Sequence, residues 1–154
     1  MEYLKTLLEE GFDPAALLPD INHMLDKIDL LVRAAVMIGP VVLLIMGVIY
    51  LVCPPKEANH FLGYQFFWGK NSVEAWRFTQ KVAGIGWCIL GLVLTVAMYV
   101  ISGGFAAKDA VDVVSTAAHC IIWELVLVAV SCLAVDGVVM AFYDRKGQRR
   151  KRKD

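Results

Sequence analysis

At 154 residues the chain has room for one domain or one small membrane bundle, and its 58% hydrophobic and 19% charged content departs from ordinary soluble domains at roughly 45–50% and about 25%. A soluble fold is excluded by where the excess sits. It is concentrated in three apolar blocks, and helices apolar on all sides would need a larger protein around them than this chain supplies. The formal net charge is zero, yet the charges are strongly segregated along the chain.

Met1, Leu4, Leu7 and Leu8 recur at helical spacing opposite Lys5, Glu9 and Glu10. This predicts a short N-terminal amphipathic helix ended by Gly11, lying on the outer membrane surface or packed on the bundle. Asp13-Pro14 and Pro19-Asp20 are turn and cap signals, and Asp20 is placed to cap a long helix. Residues 1–33 lack a continuous apolar core and carry net negative charge, so the first apolar block is expected to remain as a mature helix rather than a cleaved signal.

Ile21, Met24, Leu25, Ile28, Leu31 and Val32 form one stripe that runs into the first block, residues 34–53. A helix over 21–53 would be about 50 Å long, so its first turns project outside the bilayer. Pro40 should kink it locally, and Pro54-Pro55 ends it.

The segment 54–81 is polar but rich in aromatics: Phe61, Tyr64, Phe66, Phe67, Trp68, Trp76 and Phe78. Trp and Tyr anchor at membrane interfaces. Asn71 with Glu74 has the spacing of a capping box, which would start the second helix before the bilayer. The second block, 82–102, is closed by Gly103-Gly104. Its Gly84, Cys88, Gly91 and Thr95 make a stripe of small residues, suited to close packing within the chain or to homodimerisation.

Residues 106–116 read as a short outer connection or as the helical extension of the third block, 121–142. That block contains Glu124 and Asp136, whereas the first two contain no charge. All three blocks match the length that crosses a hydrocarbon core of about 30 Å. The expected fold is an all-α membrane protein with spans of about 30–53, 82–102 and 118–143. An extracytoplasmic segment 1–29 precedes them, and a basic cytoplasmic tail 144–154, disordered by self-repulsion, follows.

Orientation follows from the basic residues. The tail (Arg145, Lys146, Arg149, Arg150, Lys151, Arg152, Lys153) and the first loop (Lys56, Lys70, Arg77, Lys81) share one side and hold eleven. The other side holds four: Lys5, Lys27, Arg33 and Lys108. The positive-inside rule puts the C-terminus and first loop in the cytoplasm of a cell membrane and the N-terminus outside. The tail's partner is then anionic lipid rather than nucleic acid.

Chemistry-bearing residues are few. Cys53, Cys88, Cys120 and Cys132 sit in or beside apolar blocks without CxxC or Cys/His ligand spacing, and read as small hydrophobes. His23, His60 and His119 fall on different sides, so no metal site is expected. No nucleophile–base pattern, phosphate loop or zinc motif occurs, so neither an enzyme nor a cofactor is expected. A carboxylate in a membrane helix is functional by default and costs about 2.5–3.5 kcal/mol at a bilayer centre. Glu124 and Asp136 are twelve residues apart, roughly 18 Å along an axis, too far for a paired acid/base site. Glu124 reads as ion-paired with Arg33 near the outer ends of their spans, or as a wet interfacial carboxylate. Asp136, deeper from the cytoplasmic end, reads as hydrogen-bonded to a neighbouring helix or the loop, or as part of a proton or cation relay. The donors expected within its reach are Arg77, Lys81, His60 and Tyr64.

The most specific local signal is the run Asn59-His60-Phe61-Leu62-Gly63-Tyr64, followed by Lys70-Asn71-Ser72-Val73-Glu74-Ala75-Trp76. It resembles the SdpI-like family of bacterial membrane proteins, whose pattern is Asn, three residues, Gly-Tyr-Arg-Thr, then a Ser- and Lys-rich stretch leading to Glu and Trp before a span. Asn59, Gly63, Tyr64, Glu74 and Trp76 match. Gln65 and Phe66 replace the Arg and Thr, which removes a cation and a hydroxyl and argues against anion binding there. The resemblance covers roughly residues 41–102. It implies a non-enzymatic immunity protein that protects its producer from a membrane-active peptide toxin, or a signalling protein that holds a transcription regulator at the membrane. Two rival classes remain open: a small transporter using Asp136 and Glu124, and an accessory subunit of a larger complex. Homo-oligomers fit any of these.

Overall fold

The computed structural model describes residues 21–56 and 63–150. Within them lie three long helices: α1 (Ile21–Val52), α2 (Val73–Gly103) and α3 (Ala110–Phe142). The amphipathic helix expected near the N-terminus lies outside the described residues, as do Asn59 and His60. No strand forms among the described residues, so the chain is all-helical there.

Segments Ile28–Val52, Val73–Gly103 and Val111–Phe142 are long and apolar enough to cross a membrane. The protein is therefore multi-pass. The second and third helices begin well before their apolar blocks because amphipathic turns extend them. Ala75, Trp76, Thr79, Gln80 and Ala83 are all buried, so the polar start of α2 has an inward face of its own. A 3-10 turn, Phe105–Ala107, links α2 to α3, and Asp109 precedes the first turn of α3. The helix α1 runs unbroken through the fully buried Pro40.

α1 and α2 form a tight hairpin, and the small-residue stripe explains it. A Cβ on Gly91 would lie 2.6 Å from the backbone N of Leu44, and one on Gly47 would lie 2.6 Å from the backbone N of Cys88. Gly84 meets Leu51 and the carbonyl of Gly47. The stripe is thus used inside the chain, backbone against backbone, as small residues allow in membrane helices. Gly47→Ala should destabilise the protein by about 1–3 kcal/mol, because the facing backbone cannot yield as a side chain would. Thermal unfolding in detergent checks this; an unchanged midpoint would contradict the close approach.

α3 lies on the hairpin through one stripe. Val113, Ala117, Cys120, Glu124, Val135 and Val139 are buried, whereas Trp123, Leu125, Val130 and Leu133 face outward. In a bilayer those outward side chains meet acyl chains and carry no desolvation penalty. Two apolar clusters result. One joins Val36, Leu43, Leu94, Met98, Phe105 and the first half of α3. The other joins Tyr50, Ala83, Val135 and Val139, with Tyr64, Phe66 and Phe78 packed against it, and it carries the loop.

The tail corrects the expectation of disorder from residue 145. Residues 143–150 form a closed turn with an antiparallel bridge between Tyr143 and Arg149. Asp144 Oδ1 accepts from the backbone N–H groups of Lys146 and Gln148 at 2.9 and 2.8 Å. Gly147 takes φ +71° and seats its backbone against Asn71 and Ser72, where a Cβ would come within 2.8 Å of Ser72 N. Self-repulsion does not prevent this, because Arg145, Lys146, Arg149 and Arg150 all remain exposed to solvent around the Asp144 carboxylate.

Candidate functional site

The loop between α1 and α2 is held from both ends of its sequence motif. Gly63 has φ +105°, a conformation L side chains rarely adopt. A Cβ there would also lie 2.7 Å from Trp76 Cζ2 and 2.9 Å from Gln80 Oε1. Glycine is required at this position twice, by backbone conformation and by close approach. Trp76 is fully buried over it, and its indole N–H donates to the carbonyl of Pro55 at 2.9 Å. The α1 end, Gly63 and the start of α2 are therefore pinned by one side chain.

Tyr64 comes next and is bound by both its backbone groups. Its N–H donates to Gln80 Oε1 at 2.7 Å, and Gln80 Nε2 donates back to the Tyr64 carbonyl at 3.0 Å. The Gln80 amide thus pairs with Tyr64 as an adjacent strand would, satisfying the polar groups of a non-helical residue at the end of the bundle. Gln80 is fully buried, one helical turn from Trp76 on the same face of α2. This residue was missed by sequence reasoning. The signal for it is the Ala75, Trp76, Thr79, Gln80, Ala83 spacing, which continues an inward face through a polar segment.

The Tyr64 side chain then reaches α3. Its hydroxyl is 2.7 Å from Asp136 Oδ1 and 3.0 Å from the carbonyl of Cys132, both acceptors for its single proton. The partner expected for Asp136 is accordingly Tyr64. The ring packs edge-on to Trp87 at 5.6 Å, and Trp87 in turn packs against Tyr50 at 5.5 Å. Burial first, then the hydrogen bond to Asp136, pushes the Tyr64 phenol far above its ordinary pKa. It remains a donor throughout the physiological pH range.

The start of α2 is capped one residue later than the spacing of Asn71 and Glu74 predicts. Ser72 is the N-cap, its Oγ accepting from Ala75 N–H at 3.0 Å and donating to the carbonyl of Gly147 at 2.7 Å. Asn71 is not the cap, because its side chain donates instead to the carbonyl of Arg145 at 2.6 Å. Glu74 accepts from the Tyr143 hydroxyl at 3.1 Å, which together with burial raises the Tyr143 pKa, burial being the larger cause. The Arg145 guanidinium lies over the Trp68 ring, 5.9 Å from its centroid. Loop, helix start and tail thus form one polar platform at one end of the bundle. Of the motif residues, Gly63, Tyr64, Glu74 and Trp76 converge on it.

Arg33 and Glu124 are not brought together. Arg33 donates to Asp29 Oδ2 at 2.7 Å, an i,i+4 pair on its own helix. Glu124 faces Gly39, where a Cβ would meet its Oε2 at 2.7 Å. Gly39 lies about 16 Å inside the N-terminal end of the Ile28–Val52 span, six residues deeper than Arg33. Glu124 is therefore at mid-depth rather than near the end of the span where Arg33 sits, and the separation along α1 explains the missing pair. Its residue is 6% exposed, and its Oε1 is buried without a hydrogen-bond partner.

The sequence profile of the SdpI/YfhL protein family matches residues 56–140. The match contains the loop, α2 and nearly all of α3. No curated protein and no solved structure matches the chain.

Proposed function

The chain belongs to the SdpI/YfhL family, and on that premise we propose that it is a non-enzymatic immunity or signalling protein of a bacterial cell membrane. Its functional element is the loop platform around Gly63, Tyr64, Glu74 and Trp76. The observation that carries this reading is the grip on Tyr64. A residue with no regular secondary structure is held by a buried side chain from α2 and a carboxylate from α3. A mere connector needs no such fixation. An ordered platform offers a surface of constant shape to a protein partner or to a peptide toxin entering from the membrane. In this reading the platform and the basic tail face the cytoplasm, where the tail meets anionic lipid, and the N-terminus is outside. Asn59, the remaining motif residue, lies outside the described residues.

Two measurements test it. Single-cysteine labelling should find Lys70→Cys reactive only from the cytoplasm and Lys108→Cys only from outside; the reverse would remove the cytoplasmic platform. Cells challenged with a membrane-active peptide toxin should be protected by the intact chain and lose at least tenfold of that protection with Trp76→Ala at equal expression. Full protection by that variant would reduce the loop to a connector.

A second reading, a small transporter or accessory subunit of a larger complex, has Glu124 in its favour. A buried, unpartnered carboxyl at mid-depth is the kind of group that binds a proton or cation in passage. Against a continuous path, Ser131 Oγ is bonded within its own helix, to the carbonyl of Val128 at 2.7 Å. Glu124→Gln with normal folding but lost activity would favour this reading over the first.

A further inference from the structure

A cavity of about 760 Å³ opens on the side of the bundle where α1 ends and α2 begins. Its apolar wall includes Tyr50, Leu51 and Val52, and its rim carries Lys56, Arg77 and Lys81. We propose that this cavity is a binding site for one anionic phospholipid, the phosphate held between Lys56, Arg77 and Lys81 and an acyl chain lying along Leu51 and Val52. The site adjoins the loop platform through the Trp76–Pro55 hydrogen bond, but the proposal does not rest on the immunity reading.

Four observations support that occupant. First, all three cations are exposed, and none forms an ion pair among the described residues. By contrast, of the tail's cations, Arg145 lies over Trp68 and Arg150 donates to the carbonyl of Tyr143. Second, Arg77 and Lys81 are four residues apart on α2, so their side chains stand on one face within reach of a single phosphate. Third, α1 ends just before Pro54 and Pro55, and the Trp76 hydrogen bond to the Pro55 carbonyl ties this segment to α2. The Pro54-Pro55 part of the lining is therefore held in place. Fourth, the site lies at the ends of two membrane-spanning segments, where lipid phosphates are and a soluble ligand's tail is not. A free phosphate would satisfy the cations and leave the apolar wall bare. A zwitterionic lipid would fill the wall but bring its own cation to the rim.

The test uses the full chain purified in a neutral detergent, with native mass spectrometry and thermal unfolding as readouts. Phosphatidylglycerol, phosphatidylcholine and glycerol phosphate are added separately. Each cation near an anionic lipid is worth about fivefold in affinity, so Arg77→Gln with Lys81→Gln should weaken phosphatidylglycerol binding by about 30-fold. The tail pair Arg149→Gln with Arg150→Gln should weaken it by less than about fivefold. Arg77→Lys with Lys81→Arg keeps both charges and should keep binding, which separates loss of the site from loss of folding. Equal binding of phosphatidylcholine, or of glycerol phosphate, would overturn the proposal. So would equal losses in the rim and tail variants, which would mark diffuse surface attraction.

Discussion

Gln80→Leu is expected to release the loop while leaving the α1–α2 hairpin intact. The substitution keeps the side chain's bulk but strips both hydrogen bonds from the Tyr64 backbone. The Tyr64 carbonyl still accepts from the Phe66 N–H at 3.2 Å, so the N–H is the group left unsatisfied, at a cost of about 1–3 kcal/mol. The contacts of Gly47 with Cys88 and of Gly91 with Leu44 lie two turns or more along α2 from this change, so helicity by circular dichroism should hold. Loop protection in hydrogen exchange should fall at Tyr64 and its neighbours. Gln80→Glu makes the cause legible, because it preserves an acceptor for the Tyr64 N–H and loses the donor to the carbonyl. A leucine variant with unchanged loop protection would show that the amide clamp contributes nothing.

Gly63→Ala should have a comparable effect for a different reason. At φ +105° an alanine is strained by about 1–3 kcal/mol, and its methyl group would press on the Trp76 ring and on Gln80 Oε1. Overpacking adds about 1–3 kcal/mol, since Trp76 is fully buried and tied at its indole nitrogen to Pro55. The expected outcome is a lower unfolding midpoint together with loss of protection against toxin. Trp76→Phe offers a check. In the Gly63→Ala background it should recover part of the lost stability, because the smaller ring vacates the space the methyl needs. Absence of any recovery would place the whole cost in the backbone.

The three spans and the family resemblance were readable because each rests on local pattern: apolar runs of bilayer length, and a spaced set of residues at their edge. What was not readable depended on contacts between distant segments. Asn71 and Ser72 are both good cap residues, and the choice fell to Ser72 once the tail carbonyls of Arg145 and Gly147 took up their free donors. The tail's charge run suggested disorder, yet Asp144 and Gly147 within it are turn formers, and a turn needs only a docking surface to close. Arg33 and Glu124 seemed paired when the third helix was counted from its apolar block. The helix starts at Ala110, and Glu124 packs beside Gly39 rather than near Arg33. Gln80 escaped notice because a lone polar residue before a span reads as solvated, whereas here it is the clamp on Tyr64.

The central claim is that Tyr64 joins the loop to the third span through Asp136, residues 72 positions apart in the chain. A double-mutant cycle with Tyr64→Phe, Asp136→Asn and the pair, read by unfolding in detergent, measures that link alone. Double-mutant cycles on hydrogen bonds within membrane bundles give about 0.6 kcal/mol on average and up to about 1.7, so a coupling energy of about 0.6–1.7 kcal/mol between the two positions is predicted. Strictly additive effects, with the two substitutions blind to each other, would contradict it.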